Sequence, residues 1–139
     1  MNESKESNFR IKIPKLKKLE YEFNASYEKS GSIKLNIQTE TKILKKDYTA
    51  VVSLALHVFD KNIYESNKVP FYISIIMFGE FEWDDSIEEK EVYTLLESNA
   101  PAVLLSYMRP YISSITSGSG YPPLIIPLLN FKENKAEYI

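Results

Sequence analysis

The stretch NAPAVLLSYMRPYISSITSGSGYPPLIIPLLNF, Asn99 to Phe131, decides how this chain is read. Pro101 suits a first helical position, where its missing N–H is no loss and its fixed φ is already helical. From there Leu104, Met108, Tyr111, Ile112 and Ile115 fall on one stripe of a 3.6-residue period, with Val103 and Tyr107 flanking it. Gly118 and Gly120 stop the helix. Pro110 lies inside it and cannot donate to the Ser106 carbonyl, which predicts a kink over residues 106 to 110. Beyond Gly120, Pro122, Pro123 and Pro127 remove three backbone donors, so Tyr121 to Pro127 reads as an extended apolar loop.

An amphipathic helix needs a surface to lie on, and the chain ahead of it supplies a sheet. Leu19, Tyr21 and Phe23 alternate with Lys18, Glu20, Glu22 and Asn24, the period of a half-buried strand. Lys29-Ser30-Gly31-Ser32 reads as a turn, and Ile33, Leu35, Ile37 and Ile43 mark a second strand. A third runs from Asp47 to Phe59. Residues 60 to 67 read as a hairpin excursion, after which Pro70 opens a fourth strand, Phe71 to Trp83. Ser86 and Glu89 stand at capping-box spacing, placing a short helix over residues 86 to 98.

The third and fourth strands are apolar on both parities. Tyr48, Val52, Leu54 and Leu56 are joined by Val51, Ala55 and Phe59, and Phe71, Ile73, Ile75 and Met77 by Tyr72, Ile76 and Phe78. An antiparallel strand with one wet face alternates cleanly, so these two predict cover on both sides. One long helix covers one side; the other predicts another subunit or a bound polypeptide. Four strands followed by two helices give an α+β domain with its helices segregated to one face.

At 139 residues the chain is long enough for one core, and its lack of cysteine excludes disulfides and thiolate metal sites. The formal net charge of −2 argues against nucleic acid as a partner, no apolar run reaches the roughly 18 residues of a membrane span, and no apolar core follows the first charges as in a signal peptide. A cytoplasmic location is the expectation. The charges are segregated: 11 of the 17 Lys and Arg lie within residues 1 to 50, and 8 of the 19 acids between Glu80 and Glu97. Contact between different parts of one fold, or between subunits, follows from that asymmetry.

Asn99, Pro101, Tyr107, Arg109, Gly120, Tyr121, Pro122, Leu124, Asn130 and Phe131, in that order and spacing, resemble the corresponding region of the SecB export chaperones. The resemblance implies a SecB-like fold, a four-stranded antiparallel sheet followed by a short and a long helix packed on one side. The chaperone domain then covers residues 9–131, between a disordered N-terminus (1–8) and a short C-terminal tail (132–139). It implies an ATP-independent holdase for unfolded or non-native polypeptides, preproteins for export among them, assembled as a homotetramer, a dimer of dimers, without a cofactor. The family's docking surface for the SecA motor maps to Lys18, Glu22, Tyr72 and Ser74, of which only Glu22 is acidic. A specialised variant serving one client or a toxin–antitoxin system is a second version, and a plain oligomeric interaction module is an alternative from another class.

The residues point away from catalysis. His57 is the sole histidine, without a nucleophile or carboxylate at motif spacing, and reads as structural. The acidic run from Glu80 to Glu91 lacks the glycine-bearing spacing of a calcium loop and reads as a solvated face leading into a helix. Ser117 to Gly120 follows a helix instead of preceding one, so it is no phosphate cradle. Lys12, Lys15, Lys17 and Lys18 suit protection of a sheet edge. What remains is an apolar, aromatic set proposed to grip polypeptides: Phe71, Ile73, Ile75, Phe78, Tyr107, Tyr111, Ile115, Tyr121 and Leu124.

Overall fold

The computed structural model describes residues 3–4, 7–27, 33–66, 68–120 and 122–139. The turn expected at residues 29–32 and the groove residue Tyr121 lie outside these, as does half of the expected N-terminal segment, residues 1–2 and 5–6. Strands β1 (Arg10–Ile11), β2 (Lys15–Phe23), β3 (Ile37–Lys46), β4 (Thr49–Val58), β5 (Phe71–Glu82) and β6 (Ala136–Tyr138) form one sheet. β1 and β2 both run antiparallel along β5, followed by β4, β3 and, at the far edge, β6 parallel to β3. The four long strands are those legible from alternation. β1 and β6 extend that sheet, and within the expected C-terminal tail Ala136–Tyr138 pair with Thr41, Lys42 and Ile43 of β3.

Register explains the two-sided pattern of β4 and β5. Val52, Leu54, Leu56 and Val58 stand opposite Gly79, Met77, Ile75 and Ile73, all on one face and buried. The long helix lies on this face. Gly79 permits its close approach: a Cβ there would sit 3.0 Å from Ile11 Cδ1 and 3.4 Å from Leu104 Cδ2. On the opposite face, Val51, Ala55, Ile76 and Phe78 stay half-buried among flanking Lys and Glu side chains, and no element of the described residues lies over them.

Where a hairpin excursion was expected, the chain forms a helical turn, α1 (Lys61–Glu65), because the Asp60 carboxylate accepts from the Asn62 amide at 2.6 Å and nucleates it. With no buried residue of its own, α1 is held by polar contacts. Lys61 reaches Glu20 Oε1 at 3.2 Å and lies 5.6 Å from the Tyr72 ring, while Tyr64 meets the same ring edge-on at 5.0 Å. Glu20 also accepts from the Tyr72 hydroxyl and pairs with Lys18 at 3.5 Å. The segregated charges meet in the same manner elsewhere, as Lys12 pairs with Glu80 at 3.2 Å.

The helical part departs from the sequence expectation. Asp84 forms a turn with Ser86, accepting from its amide and hydroxyl, so the helix begins later: α2 spans Glu89–Thr94. No break follows. A π-turn, Leu95–Asn99, leads directly into α3, Ala100–Gly118, where the Ala100 amide bonds Leu95. Pro101 thus sits inside a continuous helix and leaves the Glu97 carbonyl without its usual donor. The side-chain amide of Asn134 fills that place, donating to the Glu97 carbonyl at 3.0 Å and to Thr41 Oγ1 at 3.0 Å. The helix also runs through Pro110 to Gly118.

Two predictions follow from these polar contacts. Asn134→Ala leaves the Glu97 carbonyl and the buried Thr41 hydroxyl short of a partner, and should cost about 1–3 kcal/mol in urea unfolding; a loss within the noise would contradict this role. Glu20 is held below its ordinary 4.5, at about 2, first by the Tyr72 hydroxyl and then by Lys61. Its ionised form is favoured in the fold, so its contribution is complete above pH 4.5 and is lost as pH falls toward 2. The stability gap between wild type and Glu20→Gln should therefore narrow across that window, and a gap constant with pH would refute the assignment.

Candidate functional site

α3 buries one stripe against the sheet: Ala100, Leu104, Met108, Ile112 and Thr116. Steps of about 100° per residue put Arg109 on one side of that stripe and Tyr107, Tyr111 and Ser114 on the other. The two flanks are treated differently. On the Arg109 side the chain returns along the helix: Leu124 N donates to Thr116 Oγ1 at 2.8 Å, and Arg109 Nε to the Ile126 carbonyl at 2.7 Å. Ile126 and Phe131 are buried there, and Asn130 turns the chain by accepting from the Lys132 amide at 2.9 Å. The prolines keep this segment extended, and Arg109 satisfies a carbonyl that no strand partner reaches.

Among the described residues the other flank is bare. Tyr107 and Tyr111 are 47% and 41% exposed, although both are large hydrophobic side chains beside the buried stripe. Between α3 and β2 runs an open cleft of about 440 Å³ lined by Leu19, Pro110, Tyr111, Ser114 and Ile115. Leu16 and Phe23 point to the same face of β2, by their register with Met77 and Phe71, and both are exposed. β2 is also an edge: among the described residues no strand pairs with its outer side. The register shift between Leu16 and Lys18 leaves Lys17 as the extra residue of a bulge, and with Lys15 and Lys18 it blunts the first half of that edge. The half from Leu19 to Phe23 has no such device.

The proposed grip residues are divided by this geometry. Tyr111 and Ile115 line the cleft, and Tyr107 stands on the same flank. Leu124 packs half-buried on the opposite flank, with the returning segment. Ile73 and Ile75 are fully buried beneath the helix, and Phe71 is half-buried, edge-on to Phe59 at 5.4 Å. Phe78 lies on the far face of the sheet. The sheet wall of the cleft is therefore β2 and not β5. Leu19, Pro110 and Ser114 line the cleft although no side-chain pattern marked them for it; the alternation of Leu19, Tyr21 and Phe23 showed a strand, while its place at the edge depends on distant pairing.

The positions that the resemblance assigned to docking share the far face: Lys18, Glu22, Tyr72 and Ser74 all stand away from α3. Tyr72 is already engaged by Glu20, Lys61 and Tyr64. His57 is half-buried there opposite Ser74, in a polar depression shared with Glu20, Lys61 and Tyr72. Ser117 to Gly120 ends the helix, with Gly120 at φ 86°. Among the described residues no three acidic or histidine side chains converge as metal ligands, and no helix is long and apolar enough to cross a membrane.

Comparison with known proteins gives this arrangement a lineage. The family model described as preprotein translocase subunit SecB matches residues 3–135. An uncharacterized protein of Methanocaldococcus jannaschii is 30% identical over 117 residues, 83% of this chain and 74% of that one. The protein-export protein SecB of Anaplasma phagocytophilum is 33% identical over 85 residues, 59% of this chain, and that of Bartonella bacilliformis 29% over 105, or 75%. The chain spans 52% and 62% of the length of those two SecB proteins. A Mycobacterium tuberculosis SecB-like chaperone, solved in complex with a peptide from an antitoxin, superposes with a TM-score of 0.64 at 15% identity, covering 88% of each chain. The sheet and the long helix thus agree with the sequence match, and the chain belongs to the SecB family.

Proposed function

We propose that this protein is an ATP-independent holdase that captures unfolded or non-native polypeptides along the bare flank of α3. The observation that carries the reading is the cleft between Tyr111, Ile115 and Leu19, an apolar surface kept open beside an unpaired strand edge. An extended segment laid there can bury apolar side chains against the tyrosines and leave their hydroxyls wet. The antitoxin peptide bound by the Mycobacterium tuberculosis relative is a ligand of this chemical class. Each contact is weak, and several clefts on one homotetramer would raise avidity by roughly 10²- to 10⁴-fold for a client that spans them. Preproteins for export are one client class and a single dedicated partner is another; the cytoplasm is where either would be met. SecB-family chaperones are generally not enzymes, and the reading requires no catalytic group or cofactor. Docking of SecA through Lys18, Glu22, Tyr72 and Ser74 is not part of it, since Glu22 is the one acid among them and Tyr72 is tied to Glu20.

The edge position of β2 favours a second reading, in which another copy of the chain pairs with that edge and covers the flank. One variant separates the two. Tyr111→Glu places a charge on an exposed position and should leave the fold intact. On the holdase reading, the wild type delays aggregation of a denatured model protein at stoichiometric amounts, and the variant loses about tenfold in affinity for it with unchanged solution mass. A variant that falls to monomer while wild type never delays aggregation would replace the holdase with the interaction module.

A further inference from the structure

At the opposite end of the sheet from the bare flank, the hairpin joining β3 to β4, the exit from β5 and the start of α2 enclose a cleft of about 590 Å³. Its interior is unusual in composition. The Lys45 ammonium lies 5.8 Å from the ring centre of Trp83, which lines the cleft with it, and 5.7 Å from that of Tyr93, which stands behind Lys45 outside the lining. Rings so placed attract a cation through their negative faces. Three carboxylates, Asp47, Asp85 and Glu89, stand around the opening, and among the described residues none of them is ion-paired. Lys45 is not paired with them either; its recorded hydrogen bond is to the backbone carbonyl of Asp47 at 3.3 Å.

The cage is held firmly. Trp83 is buried, stacks on Phe9 at 5.9 Å, and donates its amide to the Tyr48 carbonyl at 3.1 Å. Tyr93 is braced edge-on by Tyr138 of β6 at 5.8 Å, and the Tyr138 hydroxyl donates to Glu97 at 2.7 Å. Lys45, by contrast, is a flexible side chain with one weak polar contact in a cleft large enough for a second side chain.

We propose that this cleft receives an arginine or lysine side chain of a bound polypeptide, with Lys45 as the resident cation that the guest displaces. An arginine fits the site better than Lys45 does. Its planar guanidinium stacks on indole and phenol faces while its outer N–H groups pair with the rim carboxylates, which Lys45 leaves unused. Trp83 follows the last residue of β5, whereas Leu19 of the flank pairs with Ile75 nearer its start. Trp83 stands eight residue steps beyond Ile75, the partner of Leu19, about 26 Å of extended chain. One extended client can therefore place apolar side chains on the flank and a basic one in the cage. The inference rests on the polypeptide-binding reading given above.

Trp83 is the sole tryptophan, so its emission reports on the cage without interference. The probes are two apolar peptides that differ at one residue, arginine in one and its neutral isostere citrulline in the other. The arginine peptide should bind several-fold tighter and shift Trp83 emission saturably, while the citrulline peptide binds without that shift. Lys45→Met, with its folding checked by thermal denaturation, should raise affinity for the arginine peptide alone. Asp85→Asn combined with Glu89→Gln should lower it alone. Equal binding of the two peptides, unchanged by any of these substitutions, would overturn the cage proposal and leave the holdase reading standing. If neither peptide bound, both would fall.

Discussion

One helix cannot cover this sheet. Four long strands at about 4.8 Å spacing present a face close to 20 Å wide, while a helix with its side chains measures about 10–12 Å across. α3 therefore shields roughly the two central strands, β4 and β5, where burial is complete. The remaining apolar surface on each side needs another source of cover. On the β3 side the chain supplies it, through the proline-rich return and β6. On the β2 side no element of the described residues supplies it, and Tyr107, Tyr111 and Leu16 are exposed. The asymmetry of one segment thus creates the surface on which the functional reading depends.

The covered side is secured by contacts that span long stretches of sequence. Pro101 opens a gap in the helix ladder, and Asn134 closes it while reaching Thr41 on β3. Arg109 and Thr116 fix the return at two points along α3. Tyr138 then carries the order of β6 into Tyr93 and the aromatic cage at the far end of the sheet. The two candidate binding surfaces are consequently linked by one connected set of contacts.

Local patterns revealed the four long strands, the long helix and the extended apolar return, because each is written in periodicity or in proline placement. Features set by distant partners were hidden. Pro101 reads as a helix start by the local rule, and it is tolerated inside the helix because a π-turn precedes it and a side chain 33 residues later serves the freed carbonyl. β6 is too short for any alternation to mark it. Ile73 and Ile75 looked as available as Tyr111, but strand order places β5 under the helix and leaves β2 as the wall of the cleft. The acidic run was legible as a solvated face; that Asp85 and Glu89 ring two aromatic faces depends on how β5 turns into α2.

The claim that matters most is that a foreign polypeptide occupies the bare flank. A photoreactive amino acid placed at position 111, with a second protein carrying it at position 78 on the far face, tests this directly. Illuminated with a denatured client, the first should form adducts with the client and the second should not. Adducts from both positions alike, or from position 111 to other copies of the chain alone, would contradict the account.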